Sequence, residues 1–377
     1  MPSDDLPASR LTKVFLHLDR LSHNMQLLQQ QVGQRPLWPC IKANAYGHGA
    51  RIFAEHLLQL GYDTFGVADV GEAVELIDAG IDAKFMIFSA TLPEHSEALV
   101  AYGCEPAVCT LEMVESLAHE ANKRDQQVSI HIKVDTGMGR IGIYPEQVQA
   151  FIDKCEQYPA IQIRGIMSHF PRADEADKAY SYQQIETFKG IADVAKRQGI
   201  ELCHMANSAA ILDLPEAGFD AARPGIAIYG LRPSPSIQNP NVDRLKPVLE
   251  WKSRITFLKQ VPAGTGLSYG HVYTTERPSL IATVPVGYGD GLSRNLSGKI
   301  DFLVGGLRCP QVGRITMDMS LVDVTSLRGR VALGDEVVII GVQHEAEITA
   351  DELADKLGTI NYEIVTAISK RVPRIDV

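Results

Sequence analysis

Lys42 sits where an amine could do carbonyl chemistry. It closes a short apolar run, residues 37–41, and opens the string KANAYGHG, with Tyr46 four residues on. A lone lysine at a strand end usually keeps its amine in water. Buried, its pKa falls and the amine can form a Schiff base with a carbonyl cofactor. Lys133 and Arg140 share a second string, HIKVDTGMGRIG, in which two cations and three glycines suit a close approach to an anion. His169 ends the apolar stretch 161–169, a place where a histidine is more often a hydrogen-bonded packing residue than an acid or base. In HMANSAA, Asn207 and Ser208 open a helical run, so the Ser208 hydroxyl is either an N-cap or part of a phosphate site. Arg223, Gly225 and Ile226 lie together in ARPGIAIYG. Near the other end are Tyr269 in LSYGHVY, Tyr288 and Arg294 in VGYGDGLSRNLS, Arg314, Met317 and Asp318 in GRITMDM, and Tyr362 in INYE.

These residues fall at the ends of regularly spaced apolar runs. The runs 37–42, 63–69, 84–89, 105–110, 128–135, 161–169, 202–206 and 222–229 read as buried strands. Amphipathic stretches at 50–60, 71–79, 111–124, 145–157 and 177–198 read as helices between them. Eight such strands predict an α/β fold, an N-terminal (β/α)8 barrel over residues 13–235, with functional groups at the C-terminal ends of its strands. A doubly wound sheet would show an early GxGxxG turn, and none follows the first strands. RPSPSIQNP breaks the pattern after Leu231. Beyond it, short alternating runs at 250–260, 279–286, 301–304, 320–324 and 335–342, with one helix at 349–357, predict a C-terminal mostly β domain over residues 236–377. The run 13–18 lacks an obvious barrel role and could add a strand to that second domain. Residues 1–12 read as a loose tail.

The net charge is −10. Lys and Arg number 20 against 30 Asp and Glu in residues 1–240, and 16 against 16 in 241–377, so neither part is basic. That speaks against nucleic acid or an anionic membrane as partner. No apolar run reaches membrane-spanning length and the N-terminus has no apolar leader. Six scattered cysteines without a CxxC pair fit reduced thiols and a cytoplasmic protein, and no metal site is indicated.

KANAYGHG, KVDTGMGR, MSHF, HMANSAA, ARPGIAIYG, SYG, GRITMDM and INYE, in this order over residues 13–374, resemble the motifs of the alanine racemase family. The resemblance implies pyridoxal 5'-phosphate (PLP) as cofactor, interconversion of L- and D-alanine, and a homodimer with composite sites. It implies Lys42 and Tyr269 as the two catalytic bases, Tyr269 coming from the partner subunit. Tyr46, His169, Asn207, Ser208, Arg223, Gly225, Ile226 and Tyr362 would join Lys42 around PLP, with Arg223 facing the pyridine nitrogen. Arg140, Met317, Tyr288 and Lys133 would meet the substrate, Lys133 with a carboxylated amine. Asp174 matches a residue near the substrate entrance, and Tyr288 and Arg294 match entrance and substrate residues. Thr316 stands where the family often has Cys, Ser or Ala. A racemase for serine or for a broader set of amino acids remains open. A basic amino acid decarboxylase would replace Arg223 with an acidic residue, and a lone-barrel PLP carrier would lack the second domain.

Overall fold

The structure is a computed structural model that describes residues 10–377. It divides into two compact units: residues 19–45 with 50–246, and residues 10–18, 46–49 and 247–377.

The first unit is a parallel barrel. Six strands pair in sequence order, Thr64–Val67, Lys84–Ile87, Glu105–Val108, Val128–Lys133, Ile161–Met167 and Leu202–His204. Thr64–Val67 and Glu105–Val108 are buried at every position, as strands covered on both faces must be. The ring closes through two irregular strands. Trp38 and Cys40 N–H donate to the Ala222 and Pro224 carbonyls, Ile41 N–H to Gly66, and Arg223 N–H to Ala206. Pro39 and Pro224 lack the N–H that a regular ladder needs at these two strands. The expected strand 222–229 ends early: Ile226–Tyr229 winds into a 3₁₀ turn between Gly225 and left-handed Gly230. Helices Ala50–Gln59, Val70–Asp78, Leu111–Lys123, Val148–Cys155 and Ala179–Arg197 lie between the strands. Asp69 and Thr110 cap the second and third by accepting from the N–H groups of Glu72 and Met113.

The second unit is built on one long, mostly antiparallel sheet. Its order is Arg374–Asp376, Lys13–Leu16, Leu249–Arg254, Glu336–Gln343, Asp301–Val304, Leu307–Val312, Ser320–Asp323, Ser279–Val284 and Phe257–Val261. Among the described residues only the pair of Lys13–Leu16 with Arg374–Asp376 is parallel within it. Lys13–Leu16 and Ser320–Asp323 alternate buried and half-buried residues, as one-sided sheets do. Residues 1–9 of the tail lie outside the described residues, but residues 10–12 are not loose. Thr12 is fully buried, its hydroxyl 2.8 Å from that of Ser253. Arg10 pairs with buried Asp290. Among the described residues no helix is long and apolar enough to cross a membrane.

Candidate active site

Lys42 stands at the entry to a left-handed turn. Ala43, Asn44, Ala45 and Tyr46 have φ of 51°, 54°, 52° and 51°. Such a conformation costs a non-glycine residue roughly 1–2 kcal/mol. The neighbours therefore have to hold it. Glu72 does so from helix Val70–Asp78: its carboxylate accepts from the N–H of Ala43 at 2.6 Å and of Ala68 at 2.7 Å. Asn44 accepts from Ala50 N–H at 2.9 Å, at the start of helix Ala50–Gln59. In the second unit, Arg374 donates to the Gly47 carbonyl from Nε at 2.9 Å and Nη2 at 2.6 Å. A Cβ on Gly47 would lie 2.0 Å from the Val365 oxygen, so only glycine fits. The rings of Tyr46 and Tyr362 sit 6.0 Å apart in that unit.

Cations gather at the barrel's C-terminal strand ends. Lys133 is 3% exposed, and burial, then the charges of Arg223 and Arg140, pushes its amine down to about 7. Arg223 is buried, which lowers its guanidinium to about 10. It donates to the Ser168 carbonyl at 2.7 Å and to His204 Nδ1. His169 is held neutral first by desolvation, then by Arg223, Lys133, Arg140 and Lys42. Four cations thus act on one neutral imidazole. Arg140 is exposed, on a loop that Asp135 folds around itself: the carboxylate accepts from the N–H groups of Gly137 and Met138 at 2.8 Å and of Gly139 at 2.9 Å. Burial opposes ionisation of Asp135, but these bonds prevail and keep its carboxyl below the ordinary value. At Gly142, φ is +131° and a Cβ would come within 2.6 Å of Asp135 N.

Helix Ser208–Asp213 is capped by Asn207, whose side chain accepts from Ala210 N–H at 3.0 Å. That leaves the Ser208 hydroxyl for another task. It accepts from the N–H of Gly225 at 2.8 Å and of Ala227 at 3.2 Å, which flank Ile226. A hydroxyl and converging backbone N–H groups are a set of groups suited to a phosphate.

In the second unit three loops are tied together. Ser268, at φ +60°, donates its hydroxyl to the Arg314 carbonyl at 2.7 Å and precedes Tyr269. Tyr288 N–H donates to Thr316 at 3.0 Å, and Gly289 N–H to Met317 at 2.9 Å. Asp290, fully buried, accepts from Gly287 N–H and from Arg371, which also pairs with Asp318 at 2.9 Å. The side chains these loops carry are open to water: Tyr269 is 70% exposed and Met317 53%, with Val272, Met319 and Tyr288 also exposed.

Residues 16–233 match the alanine racemase N-terminal domain and residues 248–376 the C-terminal domain. The chain is 44% identical over 369 residues to the alanine racemase of Halothermothrix orenii, covering 97% of each protein, and 41% identical over 363 residues to that of Clostridium novyi, covering 96% of this chain and 94% of the relative. This chain belongs to the alanine racemase family. Among solved structures, alanine racemase from Bacillus anthracis with bound L-Ala-P superposes with a TM-score of 0.91 at 36% identity, covering 98% of this chain and 95% of that one. The alanine racemase of Clostridium difficile 630 gives 0.92, also at 36% identity, covering 98% and 96%.

The site residues expected from the alanine racemase motifs divide between the units. Lys42, Lys133, Arg140, His169, Asn207, Ser208, Arg223, Gly225 and Ile226 are in the barrel, while Tyr46, Tyr269, Tyr288, Met317 and Tyr362 are in the β unit. Glu72, Asp135 and Asp290 were not anticipated. Their work is to accept from backbone N–H groups or to pair with arginines, partners far from them in sequence or set by local turns.

Proposed function

We propose that this chain interconverts L- and D-alanine with PLP as cofactor, working as a homodimer in the cytoplasm. The observation that carries the reading is the cluster of Lys42, Lys133, Arg140 and Arg223 acting on neutral His169. Such a cluster needs anions, and PLP brings a phosphate while the amino acid brings a carboxylate. Ser208 with the Gly225, Ile226 and Ala227 backbone, Asn207, Tyr46 and Tyr362 would take the phosphate end. When bound, PLP supplies the electron sink that makes the substrate Cα proton acidic.

Lys42 would anchor the cofactor through its Nζ and take or return the proton on one face of Cα. The Tyr269 phenol of the partner subunit would serve the opposite face, since inversion needs a base on each. Exposure of Tyr269, Val272 and Met317 on one set of tied loops suits a surface that a second copy covers. Arg223 would donate to the cofactor's ring nitrogen and, as a donor only, keep that nitrogen unprotonated. Arg140 would orient the substrate carboxylate, with Met317 and Tyr288 lining its side chain, and His169 would pack as a neutral ring. With a pKa of about 7, Lys133 has a substantial neutral fraction at pH 7. Neutral amine and CO₂ give a carbamate and a proton, and the new carboxylate can pair with Arg140. The test is a panel of L-amino acids incubated with purified protein, followed by chiral separation. D-alanine should form fastest; faster formation of D-serine would move the substrate assignment.

A further inference from the structure

Arg223 is the end of a longer hydrogen-bonded chain. His204 Nδ1 accepts from its Nη1. His204 Nε2 lies 3.0 Å from His131 Nδ1, and His131 Nε2 lies 3.1 Å from Glu105 Oε2. Arg164 Nε stands 3.1 Å from the same oxygen as an ion pair. Both imidazoles have no exposure at all, and Glu105 has 7%. Trp38 stands edge-on to the two rings, at 6.0 and 4.8 Å. The backbone makes room for them: a Cβ on Gly165 would come within 2.9 Å of His131 Nδ1.

The two ends of this chain allow only one arrangement of protons. A carboxylate only accepts and a guanidinium only donates. His131 must therefore carry hydrogen on Nε2, facing Glu105. Burial holds its ring below the ordinary value, so Nδ1 is bare and accepts from His204 Nε2–H. Burial first, then Arg223, His131 and Lys133, keeps His204 well below its ordinary value too, so its Nδ1 is bare and accepts from Arg223. With either ring reversed, two donors would face each other at Arg223 or two acceptors at Glu105.

We infer that Glu105, three hydrogen bonds away, is a positioning residue for Arg223: its carboxylate sets the direction of the chain and so the orientation in which the guanidinium faces the site. The catalytic consequence rests on the proposed role of Arg223 toward the cofactor; the proton positions do not. Glu105 touches neither substrate nor cofactor in this scheme. Its influence passes through the protons of His131 and His204.

Neutron diffraction from deuterium-exchanged crystals of the cofactor-loaded protein reads those protons directly, whichever group Arg223 faces. Deuterium is expected on Nε2 and not on Nδ1 of both rings, and deuterium on Nδ1 of either overturns the inference. Glu105→Gln keeps the shape but can present His131 with a donor or an acceptor, so the direction is no longer set. Its kcat should fall about 10-fold, as changes behind a site residue commonly cost, with KM for alanine within about 2-fold of the parent. Glu105→Asp should recover most of the loss. A folded Glu105→Gln protein with the parent's kcat overturns the inference.

Discussion

The barrel and the β unit hold their functional side chains in opposite ways. In the barrel, Lys133 and Arg223 are sunk in the interior, their charges working on one another and on His169. In the β unit, Tyr269 and Met317 stand in water on loops whose backbones are firmly tied while their side chains are not. Desolvation makes every charge in the barrel count for more. On the β loops the backbone is preorganised, and water exclusion must come from whatever covers them. One half buries its functional groups within its own fold; the other leaves them exposed, as the proposed homodimer would require.

The sharpest attack on this comparison removes one base from each half. Lys42→Ala and Tyr269→Phe should each lower racemisation by about 1,000-fold, within the roughly 100- to 10,000-fold that a positioned general acid or base contributes. Tyr269→Phe should slow proton removal from one enantiomer far more than from the other, read by solvent isotope exchange. If the β half serves a partner, mixed dimers of the two variants should regain one intact site. No recovery despite proven subunit exchange would sink that view.

Next in size is the anionic place in the barrel half. Lys133→Ala should cost about 100-fold in kcat/KM, about 2.7 kcal/mol. Added acetate should restore part of it by standing beside Arg140. A loss that no small carboxylic acid relieves would leave the lysine without its proposed carbamate. Gly47→Ala probes the β unit instead: with φ at +84° and the Val365 oxygen in the way, it should lower unfolding free energy by about 3 kcal/mol, measured by denaturant titration.

The smallest effect belongs to pH. With CO₂ excluded, the folded pKa of Lys133 is about 7, depressed from the value of an ordinary lysine near 10.4. Below about 7 both folded and unfolded chains hold the proton, and the full penalty of burying the charge is present. Above it the unfolded chain holds a proton that the folded chain lacks, so stability rises with pH. From pH 7 to 9 the parent should gain stability relative to Lys133→Met, by at most about 1.4 kcal/mol per pH unit. Parallel curves would assign the titration elsewhere.

The fold was legible where periodicity carries information. The helices at 70–78 and 111–123 fall on the amphipathic stretches 71–79 and 111–124, and the barrel strands at 64–67 and 105–108 on the apolar runs 63–69 and 105–110. Ile226–Tyr229 looks like a strand because an apolar run has the same appearance in any buried conformation; its flanking glycines decide otherwise. Leu307–Val312 was passed over because Pro310 argues against a strand and polar Gln311 stands at a buried position. Lys42 and Arg223 announce themselves through the strings around them. Glu72, Asp135 and Glu105 do not, because each acts on partners that only folding brings near, and an isolated carboxylate in a sequence looks like any surface acid.

The strand Arg374–Asp376 pairs in register with Lys13–Leu16, Val14 opposite Arg374. During synthesis Lys13–Leu16 leaves the ribosome some 360 residues ahead of that partner. The barrel unit ends at Lys246, so at about 5–20 residues per second the whole barrel has been made roughly 6–26 seconds before the partner arrives. Arg374 is also the residue that grips the Gly47 carbonyl, just beyond the turn that begins at Lys42. A chain cut before Arg374 therefore loses both the grip on the Gly47 carbonyl and one neighbour of the strand Lys13–Leu16.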